Sequence, residues 1–564
     1  MEKKRGLLLA VFLSLLLNCV GIQWGIPRNA YRDFYYAGQD IAEVTEGISS
    51  EYVQKSWEKS RFPSHDGKIP RSVFNVIRSF HPDEHNIIKS LSNMSPRNLD
   101  FNPRFFEYPS FFIYFVGILL GMVSITGLVK VTSDISYYFA YPGEMGIFFL
   151  TGRAGVVLLS VLGVIFLYRA AENFFDRKTA FFSSVILAVT PLYVINSHFM
   201  TVDIPMVFWI ILLLYFLSLF MKSSTMKYFY MACIAAGFAA GTKYPAFFTW
   251  LLLPLVYSCV KGRAKALLSP GSVKGFLLAV FAFFLSTPYA VFDFSGFKRD
   301  VLYQVETRGF AQGANPALRI PEFLSNSGVV LISGFSLLVI LVAGGIIYAL
   351  VKRGREKIFL AGLFSALLPI FLTGGLKYAR YYLIILPFAA VLASSFIVYL
   401  GGKRFARHAA AKILLALLLA APLVKSLSYS VHMSKQDIRI DAAEFIEENI
   451  PRGSKIIFTK DPWIFEVPPV NVYNYTVLVA EKGNKLAEVS AGSYLVIGEL
   501  QYFLGYGSRK AAEKKLIEEI KSYGYSVEKV FKKSPGFFSA GFDTDKTIHD
   551  MVYTHPAVYL FKKI

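Results

Sequence analysis

Residues 204–221 read IPMVFWIILLLYFLSLFM, eighteen positions without a charged side chain. A helix needs about 20 mainly apolar residues to cross a hydrocarbon core of roughly 30 Å. Lipid offers no partners to backbone N–H and C=O groups, so such a segment has to satisfy them internally as a helix. Comparable stretches occur at Leu7–Gly25, Gly146–Tyr168, Ala180–Asn196 and Gly328–Val351; about a dozen occur in all, and none has the weak alternation of an outer-membrane barrel strand. The whole composition agrees. With 54% hydrophobic residues, 17% charged residues and 52 Phe in 564 positions, the chain is too apolar for a soluble protein of this size. The expected fold is an all-α polytopic membrane bundle.

The chain starts with Lys3-Lys4-Arg5 ahead of an apolar run. A cleaved signal peptide with Cys19 as lipid acceptor is one reading. The run is long enough to span, and Asn18 before Cys19 is a poor small-residue cleavage site, which favours a retained helix. The three cysteines, Cys19, Cys233 and Cys259, all lie in apolar segments, where a thiol behaves as a small hydrophobe. They imply neither a disulfide framework nor a cysteine metal site.

A net charge of +20 would suggest nucleic acid in a soluble chain. Here its distribution gives topology, because basic flanks of spanning helices mark the cytoplasmic side. Short basic connections fall at Arg169–Lys178, Lys222–Lys227, Lys261–Lys274, Lys352–Lys357 and Lys403–Lys412. With the N-terminus they hold 20 Lys and Arg against four acids. Placing them all inside requires that Ser110–Val129 be a re-entrant or interfacial helix. The expectation is then 11 spanning helices in a membrane domain over 1–430, with the large loop 26–144 and the C-terminal tail external. Residues 26–108 carry 11 basic and 11 acidic residues, unlike the cytoplasmic connections. Within them Tyr31–Ser60 reads as an amphipathic interfacial helix and Phe62–Pro70 as a loop.

After Ile413–Leu427 the composition changes. Residues 435–564 read as a small external α/β domain: a helix at Ile438–Asn449, a Pro-Arg-Gly turn, strands at Lys455–Thr459, Ser493–Ile497 and Ala557–Phe561, and a charged helix at Arg509–Tyr523. It has no Gly-rich phosphate fingerprint. Acceptor contact or support is its expected role.

Under this topology four acids gather at the outer ends of helices: Asp83 and Glu84 in His81-Pro82-Asp83-Glu84-His85, Asp203 in Thr201-Val202-Asp203-Ile204-Pro205, and Asp293 after Thr287-Pro288-Tyr289. An acid beside an apolar span is costly and needs a reason. The plain one is a solvated loop residue or a cap, and Asp203 fits the N-cap pattern. Lys243, Lys377, Arg380 and the neighbouring Tyr381 share that face; interfacial snorkelling is their plain reading. Taken together, the acids and cations suit one reaction class. A lipid-linked phosphate leaves, cations stabilise its charge, and a carboxylate removes the acceptor's proton.

The order of His-Pro-Asp-Glu in a long first external loop, Asn102-Pro103, Tyr108-Pro109-Ser110, Thr201-Val202-Asp203-Ile204-Pro205, Gly241-Thr242-Lys243-Tyr244, Thr287-Pro288-Tyr289-Ala290, and Arg380-Tyr381-Tyr382-Leu383 with Leu386-Pro387 resembles the protein O-mannosyltransferase-like branch of the type-C glycosyltransferases. This is glycosyltransferase family 39, with relatives that modify lipid A or lipopolysaccharide. The likeness covers roughly residues 1–430, and a helix-Pro-x-Gly-strand segment, Asp441–Ile457, follows the last span as in that family. The Trp-Trp-Asp signature of oligosaccharyltransferases is absent.

The resemblance implies inverting transfer of a sugar from a polyprenyl-phosphate donor to a protein, lipid or glycan acceptor, at the outer face of the plasma (inner) membrane. It implies Asp83 as general base with Glu84 as the second acid of the pair, Asp203 as an acid that helps hold the acceptor or the base, and Arg380 near the lipid phosphate. Lys243 and Lys377 are added as phosphate ligands from charge and topology, and Asp293 and Tyr381 as further substrate contacts. The long segment between Ile26 and Arg78 departs from the compact family pattern and leaves the acceptor open. No cofactor is expected. His81 and His85 would share a helical face as metal ligands beside Asp83 only if Pro82 sits in the first turn, and the family parallel implies metal-independent transfer. Two other readings compete. A secondary transporter should show internal repeats and midplane charges, and a polysaccharide polymerase or ligase would use the same donors.

Overall fold

The computed structural model describes residues 2–45, 71–262, 268–307, 316–352, 354–372, 378–402, 408–480, 483–503, 506–537, 540–541 and 545–564. It is mostly helical, with strands confined to the C-terminal region. The chain is a multi-pass membrane protein. Four helical segments among the described residues are long and apolar enough to cross a bilayer: Pro142–Phe174, Asp203–Ser223, Ala379–Gly401 and Ala409–Asn449. Two bent pairs raise the number to six. Arg177–Val189 with Pro191–Ser197 turns by 58°, and Phe323–Phe335 with Leu338–Val351 by 119°. Pro191 explains the first break, since its ring removes a helical donor and clashes with the preceding turn. The second passes through Ser336, whose φ is +57°. Shorter apolar helices include Arg5–Cys19, Phe111–Ile125, Met226–Ala240 and Pro270–Ser286, and the eleven crossings expected from the sequence rest on such helices as well.

The contacts divide the chain into two compact units. The first comprises Met1–Val20, Ser90–Gly117 and Arg153–Ser430. Small residues set its helix spacing: a Cβ at Gly237 would lie 2.3 Å from the Ala279 carbonyl oxygen, and one at Gly241 1.9 Å from Ser286 Oγ. The helices Met226–Ala240 and Pro270–Ser286 therefore meet backbone to backbone, as helices do where lipid offers no hydrophobic drive and close packing must hold them.

The second unit comprises Gly21–Lys89, Ile118–Gly152 and Val431–Ile564. Its five-stranded sheet has the order Thr476–Val479, Lys455–Phe458, Tyr494–Gly498, Val558–Lys563, Tyr525–Phe531. The first three strands are parallel, and Val558–Lys563 runs antiparallel to both its neighbours. Strand side chains alternate between faces. Ile456, Phe458, Val496 and Leu560 bury on one side with Ala442 and Ile446 of the helix Ile438–Asn449. Ile457, Leu495, Ile497 and Phe561 bury on the other with Leu516 and Ile520 of the helix Arg509–Ser522.

In this unit the fully buried Arg439 pairs with Asp437, Nε to Oδ1 at 2.7 Å and Nη2 to Oδ2 at 2.8 Å. Its guanidinium lies 4.3 Å from the Phe80 ring centroid and 5.4 Å from that of Trp24. Trp24 Nε1 donates to Asp437 Oδ2 at 3.0 Å. Trp24 and Phe80 thus meet Asp437 and Arg439 in one polar and aromatic knot.

The expected amphipathic helix Tyr31–Ser60 is not a single element. Residues 29–45 form three short pieces, Asn29–Arg32, Asp33–Tyr36 and Ile41–Thr45. Gly38, with φ of +79°, turns the chain between them, and Asp40 Oδ1 accepts from Ala42 N at 2.9 Å to start the third. Residues 46–60 and the expected loop Phe62–Pro70 lie outside the described residues.

Candidate functional site

The acid motif belongs to the second unit. Its helix runs from Pro82 to Ser92, so Pro82 occupies the first turn, where its missing N–H is no loss. Asp83 and Glu84 follow it, at the end of the helix whose dipole favours negative charge. The Asp83 N–H donates to His81 Nδ1 at 3.3 Å.

The two acids differ in exposure. Glu84 is completely buried, and Ser79 Oγ donates to its Oε2 at 2.6 Å. Asp83 stays half-open. Around them stands an aromatic wall from the C-terminal region. The Tyr553 ring lies edge-on to His81 at 5.4 Å, Trp463 lies 6.4 Å from His85, and Arg78 sits 5.6 Å over Trp463. Asn75 Nδ2 donates to the Pro462 carbonyl at 3.0 Å. Burial, then the charges of Arg78 and Lys89, hold the His85 pKa well below that of a free imidazole. Among the described residues no three His, Cys, Asp or Glu side chains are grouped to hold a metal ion.

The first unit gathers the other motifs. Phe111 N donates to the Gly241 carbonyl at 3.1 Å, Ser110 N to Thr287 Oγ1 at 3.2 Å, and Tyr244 OH to the Phe106 carbonyl at 2.7 Å. Three stretches far apart in sequence therefore share one hydrogen-bonded corner. Beside it Asp203 is the first residue of the helix Asp203–Ser223, whose N-cap is Val202. Its carboxylate caps no backbone N–H among the described residues. Instead Oδ1 takes the Lys243 ammonium at 2.5 Å, with Asp203 1% and Lys243 7% exposed.

The Lys243 ammonium is also 4.7 Å from the Tyr381 ring centroid. Arg380, 5% exposed, stacks its guanidinium 4.1 Å over Tyr378 and 5.9 Å from Tyr381. Lys243 and Tyr378 are the N-caps of two 3-10 segments, Tyr244–Leu251 and Ala379–Ile385, and both segments pack against the helix Glu356–Leu372. Asp203, Lys243, Arg380 and Tyr381 thus form one cluster. Lys377 lies outside the described residues.

Asp293 stands in another setting. It accepts from Asn102 Nδ2 at 2.9 Å and from Gly296 N at 3.1 Å, which makes it the cap of the helix Phe294–Thr307 and a latch on the Asn102-Pro103 loop. The Asn102 amide, above all, lowers the pKa of its carboxyl.

Residues 149–291 match the dolichyl-phosphate-mannose-protein mannosyltransferase family. The mannosyltransferase-like stretch contains Asp203, Lys243 and the Thr287-Pro288-Tyr289 turn, in agreement with the resemblance read from the motifs. No protein of curated function matches the chain in sequence. Among solved structures it is similar to ArnT from Cupriavidus metallidurans bound to undecaprenyl phosphate, with 13% identity and a TM-score of 0.44 over 99% of this chain and 98% of that one. It is similar as well to the Archaeoglobus fulgidus oligosaccharyltransferase in the apo form, with 14% identity and a TM-score of 0.42 over 81% of this chain; the match spans 62% of that protein's chain. The arabinofuranosyltransferase AftD from Mycobacteria aligns at 15% identity and a TM-score of 0.38, over 76% of this chain and 35% of that one.

Trp463 and Tyr553, which flank the acid motif, were not foreseen. They lie about 380 and 470 residues downstream of it, outside any local pattern.

Proposed function

We propose that this chain is a membrane glycosyltransferase that moves a sugar from a polyprenyl-phosphate donor to a hydroxyl or amine of a protein, lipid or glycan. The acceptor atom attacks the anomeric carbon, the bond from that carbon to the phosphate oxygen breaks, and the electron pair leaves with polyprenyl phosphate. The acceptor's proton passes to a carboxylate, and the anomeric centre inverts. Asp83 is that base: it is the half-open member of its pair, while Glu84, buried on Ser79, holds the helix start. Arg380 and Lys243 take the phosphate, and Asp203 and Tyr381 fix the position of Lys243.

The observation that supports this reading most directly is the buried Asp203–Lys243 pair with Arg380 and Tyr381 beside it. Buried charge in a membrane bundle is expensive and marks a working site by default. Purified chain in liposomes should transfer labelled sugar from an undecaprenyl-phosphate sugar to envelope extract, and mass spectrometry of envelope glycans with and without the chain should find the product. Flux of an intact lipid-linked sugar without transfer would favour a transporter instead.

The site works on the outer side of the plasma membrane, the side opposite the basic connections. External thiol reagents should label Asp66→Cys and Ala540→Cys and miss Lys265→Cys and Arg404→Cys. Labelling of either of the last two would overturn this orientation.

A further inference from the structure

The helix Pro316–Phe335 has two faces. Leu324 and Ile332 are exposed, as on a lipid-facing side, while Asn326, Ser327, Val330 and Ser333 are buried at the three- and four-residue spacing of an inward stripe. Most polar groups on that stripe are engaged. Ser327 Oγ and Tyr382 OH are 2.5 Å apart, Ser333 Oγ donates to the Val329 carbonyl at 2.7 Å, and the Ser333 carbonyl accepts from Lys425 Nζ at 2.8 Å.

Asn326 is the exception. It has no exposed surface, and neither its Nδ2 nor its Oδ1 has a partner among the described residues. A helical Asn can bond back to its own turn, as Asn196 does to the Leu192 carbonyl at 2.8 Å, but Asn326 does not. Burying an amide without partners is costly, above all at bilayer depth. Thr201 Oγ1, two residues before Asp203, is also buried and has no partner among the described residues.

The chemistry of the missing partner follows from what is unmet. Asn326 presents a donor and an acceptor, both empty. An ionised phosphate supplies acceptors alone and an ammonium donors alone, whereas a hydroxyl supplies both. Its place narrows the choice further. Ser327, the next residue, is bonded to Tyr382, two positions beyond Arg380, and the helix packs against the 3-10 segment that carries Arg380.

We propose that Asn326 hydrogen-bonds the hydroxyls of the sugar carried on the donor phosphate, and so helps to decide which sugar is accepted. This rests on the glycosyltransferase reading above. Thr201, whose buried hydroxyl also lacks a partner among the described residues, is a second candidate for the same ligand.

The test compares binding of undecaprenyl phosphate with that of its mannose, glucose and arabinose conjugates, for the wild type, Asn326→Leu and Asn326→Ser in detergent. Asn326→Leu removes an unmet polar group, so its melting temperature should equal or exceed that of the wild type. Its affinity for the best sugar conjugate should fall roughly tenfold, the loss of about one ligand hydrogen bond, while sugar-free undecaprenyl phosphate binds unchanged. Asn326→Ser, which replaces the amide by a hydroxyl that can still donate and accept, should lose less, and it serves as the second variant should the leucine fail to fold. Wild-type affinity of both variants for the conjugate would overturn the inference, as would equal losses for conjugate and sugar-free lipid. If the wild type binds none of the four lipids, the glycosyltransferase reading itself fails, and this inference fails with it.

Discussion

The ammonium of Lys243 lies 2.5 Å from Oδ1 of Asp203, and neither side chain reaches solvent to any useful extent. In a membrane bundle, removing one partner leaves the other's charge buried without its counter-charge. Asp203→Leu or Lys243→Met alone should each cost roughly 3–5 kcal/mol of stability. The double variant should recover most of that, because it buries no lone charge, yet it should stay inactive in sugar transfer. Thermal unfolding of the three proteins in one detergent checks the first claim, and a transfer assay the second. Normal turnover by the double variant would reduce the pair to a structural bond.

Asp83 and Glu84 should separate cleanly. Asp83→Asn keeps the shape and loses the basicity, so turnover should drop roughly 10²–10⁴-fold with donor affinity intact. Glu84→Gln retains an acceptor for Ser79 Oγ and should cost far less. Kinetics of both variants with one donor measure this; a larger loss at Glu84 would exchange their roles.

Arg380 holds a flat guanidinium over the Tyr378 ring. Lysine has neither the plane nor the fork, so Arg380→Lys should not restore what Arg380→Ala loses. Both variants should bind undecaprenyl phosphate at least tenfold more weakly than the wild type, by titration in detergent. Lysine-level rescue would mean that charge alone suffices there.

His85 should make the protein acid-sensitive. Its pKa is held well below the ordinary histidine value by burial against Trp463 and by Arg78 and Lys89, while in the unfolded chain it titrates near about 6.5. Below that pH the unfolded state takes the proton first and folding stability falls; above it the stability is fully present. The wild-type melting temperature should therefore drop between pH 7 and pH 5 by more than that of His85→Gln. Parallel curves would assign the acid sensitivity to another group.

Much of this was legible in one dimension. Uncharged runs such as 204–221 announced helices by their length, and the short apolar run Ile456, Ile457 and Phe458 announced a strand, which the fold buries on both faces. The helix Ile438–Asn449 was read to the residue, helped by the Pro-Arg-Gly turn behind it. Asp203, Lys243, Arg380 and Tyr381, named from the sequence, lie together in the fold. What stayed hidden was pairing. Asp203 looked like a cap because caps are local, whereas its actual partner lies 40 residues away. Asp293, grouped with the substrate contacts, is bonded to Asn102 across 191 residues. The aromatic wall of Trp463 and Tyr553 is more distant still, and no spacing rule reaches so far.

The knot of Trp24, Phe80, Asp437 and Arg439 sets a timetable for synthesis. Trp24 leaves the ribosome early, but its hydrogen-bond partner emerges 413 residues later. Phe80, immediately before the His81-Pro82-Asp83-Glu84 motif, likewise waits for Arg439, whose guanidinium covers it. Contacts of such separation form late, after the intervening chain has been made and its loop closed. The surroundings of the acid pair are thus completed only after Arg439 has been translated, and a chain cut short before residue 437 would leave them unfinished.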